Sequence, residues 1–517
     1  MKKIIYLLSS VTLLMGLISC DLDTEPTNKV ATDRMFETVQ GGYAALNGIY
    51  RNFYTADDWS SYKTENFGPA SANIVAEVMG EDFVQREAGS AWFWYDYRYL
   101  VRQEINNKGD RPYAFWNMFY QYINNANAII TNIDAATGDE NERKDVKAQA
   151  LTIRAYSYFY LIRFYQRTYV GHENDPGIPI YLEPTTNETE GKGRGTVEDV
   201  YQQINSDLDE AISLFTAAGT IQQHKSHADL YVAYGLKSRV ALVQEKWEVA
   251  ANAAAEALKK PGLGLMDEKA LLEGFNAVSN VEWMWGSEII DSQATTWYSF
   301  FNHMDADAGG HAESARKLAS SWLYDMIEDH DVRKLWFVAP TGISPADEPV
   351  LGPKVSYNQL KFHLKAKGSW ASDYIYMRAA EMYLNEAEAF CQLGKYNEAR
   401  QLLKELCDIR YSDNSYDERI ANIVDSKELT LKSTASKDVK TLMDEIILQR
   451  RIELWGEGFR IFDIMRLKTG FSRTYEGTNH PIKIEETAPE SWEWIMMLPM
   501  TEFDGNPAMD YEKDQNP

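Results

Sequence analysis

Cysteine is nearly absent: three in 517 residues, at positions 20, 391 and 407. That scarcity excludes a disulfide-stapled scaffold and the cysteine-rich zinc modules. Histidine is sparse too, with eight in all. His224 and His227 form the one close pair, no cysteine or third histidine supports them, and no His-Glu-x-x-His occurs. An excess of positive charge is missing: 52 Lys and Arg face 77 Asp and Glu, a formal net charge of −25. Such a field repels polyphosphate, so no nucleic-acid partner is expected. Past the first twenty residues no stretch reaches the ~18 uninterrupted apolar residues of a membrane span. No Gly-x-Ser-x-Gly elbow and no dinucleotide fingerprint is present. What the chain does have is 44% apolar and 25% charged residues, the balance of a folded globular protein, with 13% aromatics that include 31 Tyr and 14 Trp. Tyr and Trp in this number suit both a core and flat surfaces that are apolar on the face and polar at the tip.

The N-terminus sets the compartment. Met1-Lys2-Lys3 is followed by an apolar run from Ile4 to Leu17, broken only by Ser9, Ser10, Thr12 and Gly16. The run is too short for a comfortable span and fits a signal peptide over residues 1–19. It closes on Leu17-Ile18-Ser19-Cys20, which resembles the lipobox of bacterial lipoproteins. The resemblance implies cleavage before Cys20 and acylation of its sulfur, palmitate included, so that the protein meets the membrane through an N-terminal lipid. The polar, acidic stretch that begins Asp21-Leu22-Asp23 reads as a stalk over residues 20–35. Cys391 and Cys407 lie on opposite arms of a helical hairpin turning at Gly394-Lys395. Such arms separate them by roughly 16 Å, beyond the ~7 Å that a disulfide spans. Two free, buried thiols are expected.

Helical spacing dominates the rest. Phe115, Trp116, Phe119, Ile123, Ala126 and Ile130 recur at steps of three and four, as do Leu151, Ala155, Tyr158, Phe159 and Ile162. Thr137 to Asn141 is a turn cluster, and Thr196 is an N-cap for a helix carrying Val200, Ile204, Leu208 and Phe215. Two helix-turn-helix units superpose: Glu245-Lys246-Trp247-Glu248-Val249-Ala250 and Gly394-Lys395-Tyr396-Asn397-Glu398-Ala399. The second resembles a tetratricopeptide repeat. Between them, residues 261–370 form a loop-rich insertion of scattered Trp, Gly, Pro and Asp, in which Val281, Trp283 and Trp285 alternate as in a half-buried strand. The fold class is therefore mainly α: one large domain over 36–517. Helical repeats at 36–260 and 371–470 carry long loops and a few short strands, and 471–517 is loop and short strand.

Arg450-Arg451-Ile452-Glu453-Leu454-Trp455-Gly456-Glu457-Gly458-Phe459-Arg460-Ile461-Phe462-Asp463-Ile464-Met465-Arg466 is the most specific stretch. With Tyr376–Ala389, Arg154-Ala155-Tyr156, the Leu498-Pro499 ending and the lipobox, it resembles the SusD/RagB family of surface nutrient-uptake lipoproteins, in the right order along the whole chain. Glu457 between the two glycines would repel a phosphate, and no Lys-Ser/Thr follows, so this is no phosphate loop. The bottom-up reading is structural. Gly456 ends one helix, Gly458 permits the reversal, Phe459 opens the next helix, and Arg450, Glu453, Glu457, Arg460, Asp463 and Arg466 pair between helices.

Candidate chemistry is thin. Acid pairs such as Glu77 and Glu81, or Asp305 and Asp307, are expected by chance among so many acids and read as solvated surface; none has a hydrolase context. Asp305-Ala306-Asp307-Ala308-Gly309-Gly310 matches part of a calcium loop, but position 12 is Arg316 where a bidentate Glu is needed, so no EF-hand forms. A looser structural Ca²⁺ on Asp305 and Asp307 is the one cofactor candidate, and the resemblance supports it slightly. Aromatics in irregular segments are the remaining signal: Trp59 in Asp57–Tyr62, Trp92, Trp94 and Tyr95 in Ala91–Tyr99, and Trp297 and Tyr298 in Trp297–Asn302. An exposed ring meets the C–H face of a sugar while nearby polar groups take its hydroxyls. Trp116, Trp247 and Trp455 lie on helical faces and read as packing; Trp283 and Trp285 read as core.

These readings converge on a non-catalytic glycan-binding protein, lipid-anchored at the outer membrane and facing outward. The resemblance implies a partner, a TonB-dependent SusC-like barrel to which ligand is delivered. A peptide-binding lipoprotein of the same architecture is the alternative, and a surface glycosidase the further one.

Overall fold

Apolar spacing at three and four residues yields the expected helices, and their caps come from the expected residue types. The structure is a computed structural model that describes residues 32–56, 63–100, 102, 111–186, 188–343, 355–413, 415–434 and 436–517. The signal peptide, Cys20, most of the stalk and Trp59 lie outside these residues.

Helix α1 (Val39–Asn52) is capped by the Thr38 side chain, which accepts from Gly41 N–H. Helix α2 (Pro69–Val78) is buried along its whole length. Helix α3 (Arg111–Asn132) and the 26-residue α4 (Glu140–Tyr165) pack together, with Asp139 capping α4 at the expected turn. From Leu151 to Tyr165 every residue of α4 is buried, so this part of the helix is enclosed on all sides, while its first turns stay open to solvent. Helix α5 (Val197–Ala218) begins in a capping box between Thr196 and Asp199 and lies along α4.

The two superposable units are real hairpins: α6 (Leu230–Val243) with α7 (Trp247–Leu258), and α8 (Ala379–Gln392) with α9 (Tyr396–Cys407). Their turns match in backbone detail. Glu245 and Gly394 hold equivalent left-handed positions, with φ of +53° and +74°. Lys246 N–H donates to Ala241 O as Lys395 N–H donates to Phe390 O. Although 120 residues separate them in sequence, α7 packs directly on α8, where Ala241, Ala250, Ala251 and Ala389 let the backbones approach. Cys391 and Cys407 are free and buried, and burial pushes both thiols up to about 12.

Strands are few and short. β1 (Phe83–Gln85) pairs antiparallel with β3 (Lys317–Ala319), and β2 (Trp283–Ser287) with β4 (Tyr374–Arg378). The half-buried strand expected at Val281–Trp285 is corrected. Trp283, Trp285 and their neighbours in β2 are all buried, because both faces of the ribbon are covered, while Val281 falls outside the strand and is exposed.

A layer of buried charge locks the second half of the scaffold. Helix α10 (Leu442–Glu453) ends before Gly456 (φ +80°) and Gly458 (φ +93°), and α11 (Arg460–Arg466) follows. Glu453 receives Arg333 Nη1 at 2.9 Å, Arg378 Nη1 at 2.6 Å and Arg410 Nη2 at 2.9 Å, all fully buried. Burial alone would raise the Glu453 pKa, but Arg410, Arg378 and Arg333 together hold it well below the usual range. Glu457 bridges Arg378 and Lys361, and Asp463 takes Arg450 and Arg466.

Candidate functional site

The loop that follows β1 and one inside the insertion bring Trp92 and Trp297 to one place, with His311 between them. The His311 ring lies 3.9 Å from the Trp92 ring and 5.4 Å from that of Trp297, tilted 32° and 39°. Trp297 is 57% exposed and Tyr298 36%, whereas Trp92 is half-buried and His311 buried. Behind them His303 stacks on Phe67 at 5.6 Å and meets Phe93 edge-on at 5.0 Å. The result is a stepped aromatic shelf, rooted in the core and bare at Trp297.

The local backbone explains how Trp92 is presented. Ala91, Phe93 and Tyr99 all have positive φ, at +74°, +55° and +56°. Non-glycine residues rarely adopt this region, and three in nine positions need outside support. Gln85 Nε2 donates to Trp92 O, Phe93 N–H donates to Glu65, and Arg111 grips Asp96 with both Nε and Nη2 while Nη1 donates to Asn66. Arg111 also lies over the Phe93 ring at 5.2 Å. Gly89 is required here: a Cβ would meet the Trp92 ring and Ala315 at 3.0 Å. On the other loop Asn302 is the clamp. Its Nδ2 donates to Thr296 O at 2.6 Å and its Oδ1 accepts His311 N–H at 2.7 Å.

The electrostatics keep the shelf neutral. Burial, then the nearby Lys317 charge, holds His303 well below its ordinary pKa, and burial lowers His311 as well. His303 Nε2 faces the Thr64 carbonyl at 2.6 Å, which places the proton on Nε2. Lys317 is itself fully buried behind the shelf, donating to Ala315 O, and burial brings it down to about 7.

The other expected site residues fall elsewhere. Trp94 and Tyr95 are half-buried on a single helical turn, Trp94–Tyr97, where Trp94 stacks on Tyr97 at 5.7 Å. The solvated reading of the acids is corrected for three of four. Glu77 is buried and accepts the N–H groups of Gly458 and Phe459 at 2.8 Å, and burial raises it to about 7 against those bonds. Glu81 is buried between Arg451 and Arg460. Asp305 is buried and accepts from Asp307 N–H and Leu364 N–H, so both its oxygens are engaged by backbone, while Asp307 is exposed. Among the described residues no group of three or more His, Cys, Asp or Glu is placed to hold a metal. Trp455, Trp283 and Trp285 are core, as read from the sequence. Trp116 is buried too, but it also lines a groove. His303 and His311 escaped the sequence reading because neither has a partner nearby in the chain; the cue was their position just past Trp297-Tyr298.

Fold and site together define a helical-repeat frame that displays aromatic rings from inserted loops. A SusD-like family model described as "Starch-binding associating with outer membrane" matches residues 22–242, and the SusD/RagB model, described as "SusD family", matches 358–516. The chain belongs to the SusD/RagB family. It is 28% identical over 217 residues to SusD-like protein P2 of Formosa agariphila, a match spanning 41% of this chain and 38% of that protein. To SusD-like protein P38 of the same organism it is 21% identical over 509 residues, covering 87% and 88%. The crystal structure of a SusD-like carbohydrate binding protein from Bacteroides vulgatus superposes with a TM-score of 0.74 at 26% identity, covering 92% of this chain and 98% of that one. Among the described residues no helix is long and apolar enough to cross a membrane.

Proposed function

We propose that the chain is a non-catalytic, lipid-anchored protein of the outer cell surface that holds an oligosaccharide on the Trp92–His311–Trp297 shelf and delivers it to a TonB-dependent SusC-like barrel. The observation that carries this reading is the bare Trp297 ring beside an otherwise buried aromatic stack. A neutral, pre-formed aromatic surface matches the C–H face of a pyranose better than it does the charged groups of a peptide. Support also comes from the family description and from the carbohydrate-binding relative of similar fold. Non-catalysis is favoured because Glu77, Glu81 and Asp305 are engaged by backbone amides and arginines. Anchoring rests on Cys20 and its lipobox.

A glycan array followed by calorimetry on the lipid-free protein tests the core of the reading. Trp297→Ala is expected to weaken binding by about tenfold or more, with circular dichroism unchanged and no product released on long incubation. Retention of peptides and of no glycan would overturn the sugar reading in favour of peptide import. Palmitate labelling lost in Cys20→Ala, and co-purification of an outer-membrane barrel with the full chain, test the anchor and the partner.

A further inference from the structure

Away from the shelf, one face of α3 lines a groove of about 370 Å³. Tyr113, Asn117, Tyr120, Asn124 and Asn127 follow one another at three- and four-residue steps, with Trp116 three residues past Tyr113, so they share that face. The other wall is made by Tyr181, Thr185, Thr186, Thr189 and Gly191, and the C-terminal turn adds Glu502 and Asn506.

The chemistry of this lining is specific. Among its described residues there is no Lys, Arg or His. Its single charge, Glu502, already accepts Trp116 Nε1–H at 3.0 Å and Asn506 Nδ2–H at 2.7 Å. One cation borders the lining, Lys192, whose ammonium lies over the Tyr181 ring and donates to Ile180 O at 3.0 Å, so an anion meets an ammonium already engaged and a cation a carboxylate already holding two hydrogen bonds. What remains is aromatic face beside neutral hydroxyl and amide groups. The Asn124 carbonyl oxygen accepts both Thr185 N–H (2.7 Å) and Thr185 Oγ1 (3.1 Å), which fixes the amide and leaves its NH2 to donate. Tyr181 O–H accepts Lys192 N–H at 3.1 Å, and Gly191 lets the wall seat on the C-terminal turn, since a Cβ there would fall 2.0 Å from Asn506 Oδ1. The groove is thus pre-formed, and its volume is at the low end of the roughly 300–1,000 Å³ of ligand sites.

We propose that the α3 groove is a second carbohydrate site, separate from the shelf, which takes a neutral sugar unit or two. It rests on the shelf reading for its ligand class alone. Its geometry is independent, and it gives the protein a second hold on a long or branched glycan.

Saturation-transfer NMR with glucose, galactose, mannose and xylose, and with glucuronate and glucosamine as charged controls, tests it on the whole lipid-free protein. At least one neutral sugar should give a signal that persists in Trp297→Ala and exceeds those of both charged sugars. Thr501→Trp, which fills the exposed rim of the groove, and Tyr113→Ala, which removes one end of its aromatic face, should each cut that signal about tenfold. Polysaccharide binding at the shelf should survive both. Thermal melts identify a variant that fails to fold, and the other then decides. A signal lost in Trp297→Ala, one unmoved by both groove variants, or none in the wild type overturns the second site. Wild-type protein that retains no polysaccharide yet shows a monosaccharide signal sensitive to the groove variants keeps the groove and removes the shelf reading.

Discussion

The charged layer around Gly456–Gly458 and the aromatic shelf around Trp297 are built on opposite terms. In the first, Arg378, Arg333, Arg410, Glu282 and Glu453 are sealed from water and each answers several partners. In the second, neutral rings step outward from the core until one is bare. Removing a member of the layer leaves buried charges short of a counter-ion, whereas removing the outermost ring of the shelf leaves only more solvent. Charge here serves architecture, and apolar surface serves contact with the outside, the reverse of the usual assignment.

That contrast breaks first at Arg378. Arg378→Ala leaves Glu282, Glu453 and Glu457 short of a partner and should cost about 3–5 kcal/mol, read as a large fall in Tm or as insoluble protein. Gly458→Ala comes next. A Cβ at φ +93° would sit 2.5 Å from the Asn73 side chain, and about 1–3 kcal/mol of destabilisation is expected in a urea melt. Trp297→Ala should stay within about 0.5 kcal/mol of wild-type stability, so a melt that drops as far as that of Arg378→Ala would show the ring to be structural and dissolve the comparison.

A pH-dependent effect sharpens it instead. Lys317 is a buried cation behind the shelf with no carboxylate bonded to it, and burial brings it from 10.5 to about 7. The unfolded chain then holds a proton that the folded chain has released between about pH 7 and pH 10. Wild-type stability therefore gains from this group as pH rises through that window, and the penalty is complete below it. Lys317→Met should raise Tm by a few degrees at pH 6–7, and the advantage should close towards about pH 10. An advantage constant with pH would show that Lys317 stays charged in the folded state.

The charged layer was legible only in part, for a physical reason. Arg450, Asp463 and Arg466 lie close along the chain, so helical spacing and two glycines already imply their pairing, whereas Glu453, Glu457 and Arg460 find Arg333, Arg378, Arg410, Lys361, Glu81 and Asp82, which are distant in sequence. The paired hairpins were legible through their shared Lys-aromatic-x-x-Ala turn. Their stacking across 120 residues was not, because nothing local encodes which surfaces of two alanine-rich helices meet. For the shelf, residue type and loop context picked out Trp92 and Trp297, while His311 between them depends on two loops converging. In α3 the apolar spacing pointed to the core-facing side, and the Tyr/Asn stripe beside it went unread because Asn at helical steps looks like ordinary surface.

The neck of the insertion has its own consequence. β2 and β4 zip together at Trp283–Arg378 and Ser287–Tyr374, so the chain departs and returns through a single closed gate. Trp297 and His311 lie on the stretch between those two strands, together with β3, which pairs with β1, and with Arg333 and Lys361, which reach Glu453 and Glu457. The bare Trp297 part of that stretch is free to diverge, while its Arg333 and Lys361 part stays tied to the buried charge of the helices, so a transplant between relatives has to carry those partners with it.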